Sequence, residues 1–181
     1  MTWNLDPVHS SLQFAVKHMV ISTVRGGFRE YAVEAEIDEA DVTRSRGVVR
    51  IQAASVDTGN ADRDAHLRSA DFFDAESHPE IVFVTRGIER RGGDDYRLTG
   101  DLTIRGVTRP ITLDAEIRGP VKDPWGGTRM GLSASGKLNR KEFGLNWNAA
   151  LEAGGLVAGD EVKLSIEAEL VKAAAPATAS A

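Results

Sequence analysis

An alternation of apolar and polar residues with a period of two, repeated along most of the chain, constrains its fold more than any other feature. Leu12, Phe14, Val16 and His18 alternate with Ser11, Gln13, Ala15 and Lys17, the pattern of a strand with one buried face. Tyr31, Val33, Ala35 and Ile37 make a second row, Val49, Ile51 and Ala53 a third, and Ile81 and Phe83 open a fourth. Leu98, Gly100, Leu102 and Ile104 follow, then Ile111, Leu113, Ala115 and Ile117. Met130, Leu132, Ala134, Gly136 and Leu138 form the seventh row, and Val162, Leu164, Ile166, Ala168 and Leu170 the eighth. Turn-forming stretches such as Gly26-Gly27, Gly92-Gly93-Asp94-Asp95 and Asp123-Pro124-Trp125-Gly126-Gly127 separate the rows, and short links make antiparallel neighbours.

Eight half-buried strands have eight apolar faces to hide. A sandwich or a closed barrel does this, and closure also removes the edge strands that invite aggregation. The reading is therefore an all-β, eight-stranded antiparallel barrel forming a single domain over residues 1–172. One stretch, Ala61 to Glu76, has a helical character, with Asp62 and Asp64 in a first turn and Leu67, Ala70 and Phe73 on one stripe;. The connection over 139–160 holds Phe143, Leu145, Trp147, Leu151 and Leu156 and is longer than a hairpin needs, as functional loops often are. The Ala-rich run 173–181 has nothing to bury and reads as a disordered tail.

The inward rows carry Ala35, Ala53, Gly100, Ala115, Ala134, Gly136 and Ala168. Two readings stand side by side: small and large residues alternate to fit the barrel's taper, or the small ones leave an apolar bore, which strand length and tilt would make roughly 20–25 Å tall.

Composition removes several function classes. The absence of cysteine excludes thiolate catalysis, Cys-type zinc sites, iron–sulfur clusters and disulfides;. With 22 Lys+Arg against 27 Asp+Glu, the net charge of −5 argues against nucleic-acid binding, which needs a basic face;. No apolar run reaches the ~18 residues that span a bilayer, and Met1 to Pro7 has no leader character, so the expected address is the cytoplasm. Gly131 to Leu138 falls one residue short of a phosphate-binding loop and alternates like a strand;. Asp62, Asp64 and His66 spread around a helix axis and cannot converge on one metal ion. Asp6 with His9-Ser10 reads as a lock on the first strand, because strand neighbours point to opposite faces.

Trp3, Asp6, His9-Ser10, Phe14 to His18, Gly27-Phe28, Arg63 to Phe73 and Pro79 to Phe83 together resemble the YceI-like family. The resemblance continues through Gly100 to Pro110, Asn139 to Gly144 and Val157 to Val162, covering about residues 3–171. It implies a lipocalin-like barrel that binds a polyisoprenoid or other amphiphilic lipid in its pore, with no catalytic residues, metal or cofactor. Because Met1 to Pro7 shows no leader character, the chain is expected to stand apart from the family's exported members;.

The expected ligand contacts are Leu12, Phe14, Val16, Phe28, Phe83, Leu102, Ile104, Met130 and Leu132 along the bore, with Phe72, Phe73 and Trp147 closing one end. Arg140 is a candidate for an anionic headgroup. His18 reads first as a neutral, hydrogen-bonded imidazole inside the barrel and second as a donor to a headgroup or quinone oxygen. Two rival functions remain: an enzyme acting on a bound isoprenoid or quinone with His18 as acid or base, and a structural or stress-related module with a filled barrel. A homodimer is compatible with either.

Overall fold

The computed structural model describes residues 2–152 and 156–173. Residues 174–181, most of the expected tail, lie outside the described residues. Its strands are β1 (Thr2–His18), β2 (Ser22–Phe28), β3 (Tyr31–Glu36), β4 (Arg46–Gln52), β5 (Val56–Asp57), β6 (Glu80–Gly92), β7 (Asp95–Ile104), β8 (Val107–Lys122), β9 (Thr128–Asn139) and β10 (Ala158–Lys172). Eight of them, β1, β3, β4 and β6 to β10, close an antiparallel barrel as β10 returns to β1. These eight carry the period-two rows.

The two further strands, β2 and β5, do not follow from the alternation. β1 touches β3 only through Thr2 and Trp3 opposite Glu36 and Ala35. Farther along, the same edge of β1 pairs with β2, from Gln13 opposite Gly27 to His18 opposite Ser22, and β5 adds to β2. Gly26 and Gly27 thus lie within a strand and not in the expected turn. Gly27 is required there because a Cβ would sit 2.8 Å from the Leu12 carbonyl oxygen across the pair, and a Cβ on Gly26 would press on the Phe14 ring at 2.6 Å. Ala53, expected on a strand, is buried in a single turn after β4.

β1 begins nine residues before its alternating row because a bulge between Asp6 and Ser11 interrupts the pattern. Pro7 has no N–H to give the ladder. The Asp6 carboxylate accepts the Val8 N–H at 3.0 Å and holds His9 Nδ1 at 3.0 Å, while the Ser10 hydroxyl donates to the Asp6 carbonyl at 2.6 Å. From β9, Arg129 donates to Asp6 at 2.9 Å, Glu169 at 2.5 Å and Asp123 at 2.8 Å. One guanidinium therefore ties β1, β9, β10 and the β8–β9 turn.

Helix α1 (Ala61–Arg68) starts where the Asn60 side chain accepts the Arg63 N–H at 2.9 Å. It stops eight residues short of the expected end. The Ser69 hydroxyl takes the His66 carbonyl at 2.6 Å, and the Asp74 N–H folds back to the Ser69 carbonyl with Asp74 at a φ of 48°. Phe72 and Phe73 consequently lie on turns.

The inward glycines are filled by their neighbours. A Cβ on Gly100 would lie 2.2 Å from Phe83 Cζ and 2.6 Å from the Val84 carbonyl oxygen, and one on Gly136 would lie 2.6 Å from Leu113 Cδ2. The ring can shift but the backbone oxygen cannot, so Gly100→Ala is expected to cost roughly 1–3 kcal/mol in denaturant unfolding, with part recovered by adding Phe83→Leu.

The Asp6 cluster makes stability depend on pH. The His9 hydrogen bond, followed by those from Arg129 and the Val8 N–H, holds the Asp6 carboxyl down at about 2, whereas Asp6 raises His9. The depressed carboxyl contributes stability above its ordinary 3.8 and loses it as pH falls toward about 2;. The raised imidazole contributes fully below its ordinary 6.5 and loses this as pH climbs through its raised value;. Asp6→Asn is expected to flatten both limbs of the thermal midpoint against pH, measured by circular dichroism.

Candidate functional site

The two halves of the barrel differ. At the end where β1 starts, Trp3, Tyr96, Ala115 and Met130 are buried and close the interior. At the other end the inward rows enclose an apolar cavity of about 580 Å³. Leu12, Phe14 and Val16 of β1 line it, with Phe28 of β2, Val49 and Ile51 of β4, Ile81 and Phe83 of β6, and Leu102 and Ile104 of β7. Ile111 and Leu113 of β8, Leu132, Ala134 and Leu138 of β9, and Val162, Leu164 and Ile166 of β10 complete the wall. Four to six residue steps at strand rise and barrel tilt make the hollow roughly 10–15 Å deep. That is shorter than the bore expected to run the barrel's length.

Met130 belongs to the same inward row as Leu132 but does not line the cavity. It is buried at the filled end, against Gly119, whose Cβ would meet Met130 Cγ at 3.3 Å. Among the small inward residues of the strands, Ala134 faces the hollow; Gly100 and Gly136 make room for Phe83 and Leu113.

A two-part aromatic lid covers the open end. From the α1 side come His66, Phe72 and Phe73, and from the β9–β10 connection comes Trp147. Ring centroids of His66 and Trp147 are 4.6 Å apart, those of Phe72 and Trp147 5.5 Å, and those of His66 and Phe72 5.1 Å. Phe73 meets Phe28 at 5.7 Å, and Phe28 meets Phe14 at 5.8 Å. Trp125, by contrast, packs against no loop and is 84% exposed.

Arg140 borders the cavity but holds the lid instead of facing a headgroup. Its guanidinium is buried and donates to the carbonyls of Gly159 at 2.8 Å, Leu145 at 2.6 Å, Trp147 at 2.8 Å and Ala158 at 3.4 Å, with Asp160 at 3.7 Å. Burial pushes its pKa down and Asp160 opposes this. Asn148 reinforces the loop, donating to the Ala158 carbonyl at 2.7 Å and accepting its N–H at 3.0 Å.

Polar groups gather at the rim: Gln13, Lys17, His18, Thr58, Asp62, Arg63 and His66. His18 is half-buried there, and its imidazole makes no hydrogen bond among the described residues, unlike the satisfied interior histidine expected. Asp64 braces Thr58 through one carboxylate oxygen, accepting its N–H at 2.9 Å and its hydroxyl at 2.6 Å. Among the described residues, Asp6, His9 and Glu169 place ligand atoms within 4.8 Å of one another. Arg129 is ion-paired with both carboxylates. The sequence reading weighed His66 only as a metal ligand and gave Arg63 no role at the cavity, because no periodic signal marks a rim. Val49, Ile51, Leu138, Leu164 and Ile166 did carry such a signal in the alternating rows.

A YceI-like domain matches residues 3–170. The chain belongs to the YceI-like family. A UPF0312 protein from Staphylococcus epidermidis is 41% identical over 168 residues, 92% of this chain and 95% of that protein, and one from Staphylococcus aureus is 38% identical over the same length. Among solved structures, the YceI protein of Campylobacter jejuni superposes with a TM-score of 0.76 at 34% identity, covering 87% of this chain and 90% of that one. BcnA of Burkholderia cenocepacia gives 0.80 at 22% identity over 94% of this chain and 100% of that one. A polyisoprenoid binding domain from Saccharophagus degradans gives 0.68 at 16% identity over 93% and 97%. The last two establish a shared YceI-like barrel.

If Arg140 anchors the lid, Arg140→Met strands the Leu145 and Trp147 carbonyls at roughly 1–3 kcal/mol each. The expected outcome is a lower unfolding midpoint with red-shifted Trp147 emission, read in a Trp125→Phe background against the constant emission of buried Trp3.

Proposed function

We propose that the cavity binds the apolar chain of an isoprenoid-type amphiphile, an alcohol, phosphate or quinone, and that the protein stores or carries it without chemical change. One observation carries this reading: the hollow is walled by aliphatic and aromatic side chains, while its ionisable groups stand at the rim and lid. Its volume of about 580 Å³ falls in the range of small-molecule sites;. The description of the Saccharophagus degradans neighbour as a polyisoprenoid binding domain supports the same class of ligand. Binding of this kind needs no nucleophile, and His18 has no hydrogen-bonded partner among the described residues to orient it as an acid or base.

Binding would draw on burial at about 0.8 kcal/mol per methylene, close to fourfold in affinity for each. Because the hollow is shallower than the barrel, a longer chain must fold back inside or leave its remainder outside the rim. Affinity for a series of isoprenoid alcohols is therefore expected to climb steeply with length and then level off. Native mass spectrometry of purified protein should reveal a co-extracted lipid. Ala134→Phe, which projects a ring into the cavity, should lower that occupancy while the unfolding midpoint stays near the parent's. Full uptake by this variant would place the ligand elsewhere.

A further inference from the structure

We infer that the tip of the β1–β2 hairpin is a membrane-docking foot, in which Met19, Val20 and Ile21 enter the headgroup region of an anionic bilayer and set the cavity's rim against it; this rests on the lipid-binding reading above. Val20 is 73% exposed, Ile21 82% and Met19 37%, and Leu156 beside them is 42% exposed. Met19 and Val20 also hold φ values of 52° and 65°, a left-handed conformation that is costly for a β-branched side chain and free for glycine. Strain and exposure coincide at a turn where glycine or asparagine would serve the fold better.

The tip is continuous with the site. Lys17 and His18 precede it and line the rim, and the Met19 N–H donates at 2.8 Å to the carbonyl of Val157, another rim residue. The hairpin's own charges complement anionic headgroups, and the acids nearest on β10, Asp160 and Glu161, are paired with Lys141 and Lys137. From Pro7 to Arg29 the sequence has no Asp or Glu, although the chain has 27 of them and a net charge of −5. Arg29 pairs with Asp57, whereas Lys17 and Arg25 are exposed and have no acidic partner among the described residues.

A few aliphatic side chains on a protruding turn fall far short of the ~800 Å² per partner that a stable protein interface buries. They suit a bilayer, where affinity grows with inserted apolar surface and attraction to anionic lipid.

The test is co-flotation of the full chain with vesicles of phosphatidylcholine plus phosphatidylglycerol, or of phosphatidylcholine alone. The expected result is binding to the anionic vesicles that weakens with salt and falls about tenfold or more in Val20→Gly, Ile21→Asp and Arg25→Glu. Val20→Gly also relieves the turn, so its unfolding midpoint should match or exceed the parent's. Ile21→Trp should shift its emission to the blue with anionic vesicles only. Equal flotation of parent and tip variants, no flotation of the parent, or a dimer in sedimentation that the tip variants dissociate would each overturn the inference. Uptake of a micelle-dispersed isoprenoid alcohol, measured in parallel, tests the cavity separately: its failure in every protein counts against the lipid-binding reading, whereas flotation alone judges the foot.

Discussion

Backbone hydrogen bonds between β1 and β10, from Trp3 opposite Lys172 to His18 opposite Ala158, join the two ends of the chain into one wall. Without them the other ring strands form a curled sheet with two open edges and no enclosed interior. The opposite seam is thin, since β1 meets β3 through only two residues before β2 takes over the edge. Arg129 supports the heavy side of this arrangement, fastening three carboxylates beside the bulge that bends β1. Asymmetry of closure matches asymmetry of filling: the barrel is solid where β1 meets β3 and hollow where β2 and β5 broaden the wall.

The hollow does not arise mainly from small side chains. Phe83 occupies the space at Gly100, and Leu113 occupies that at Gly136; these glycines let large neighbours lie flat. Emptiness comes instead from mid-sized aliphatics such as Val49, Ile111, Leu164 and Ile166, which reach inward from opposite walls without meeting. Side chains alone leave this lining short of dispersion partners. Any ligand that supplies them stabilises the folded state in proportion to its concentration.

The ring strands were legible in the sequence because each buries one face, so a two-residue period survives without knowledge of the fold. β2 was illegible because Gly26 and Gly27 resemble a turn, and only their neighbours across the strand pair explain them: the Phe14 ring beside Gly26 and the Leu12 carbonyl oxygen beside Gly27. The first half of β1 was hidden by a bulge whose logic depends on Arg129, far away in sequence. Most of the expected cavity residues reach the hollow, since parity alone selects them. Met130 fails because parity gives the face and not the depth. Arg140 misleads for a related reason: charge beside an aromatic loop suggests a headgroup contact, but its donors are consumed by carbonyls that only the folded loop brings together.

The two parts of the lid are held unequally. Trp147 belongs to a loop fixed by Arg140 and Asn148 to the start of β10. Phe72 belongs to a turn segment fixed by Arg105, which donates to its carbonyl at 3.0 Å, and by the Ser69 contacts after α1. Among the described residues no hydrogen bond crosses from one part to the other, and the seam consists of the ring contacts of His66, Phe72 and Trp147. Such contacts contribute about 0.5–1.5 kcal/mol each beyond area burial, less than the network anchoring either side. Opening along this seam therefore costs less than unfolding either support. It would expose the hollow between His66 and Trp147, with the charged rim residues Lys17 and Arg63 bordering the same cavity.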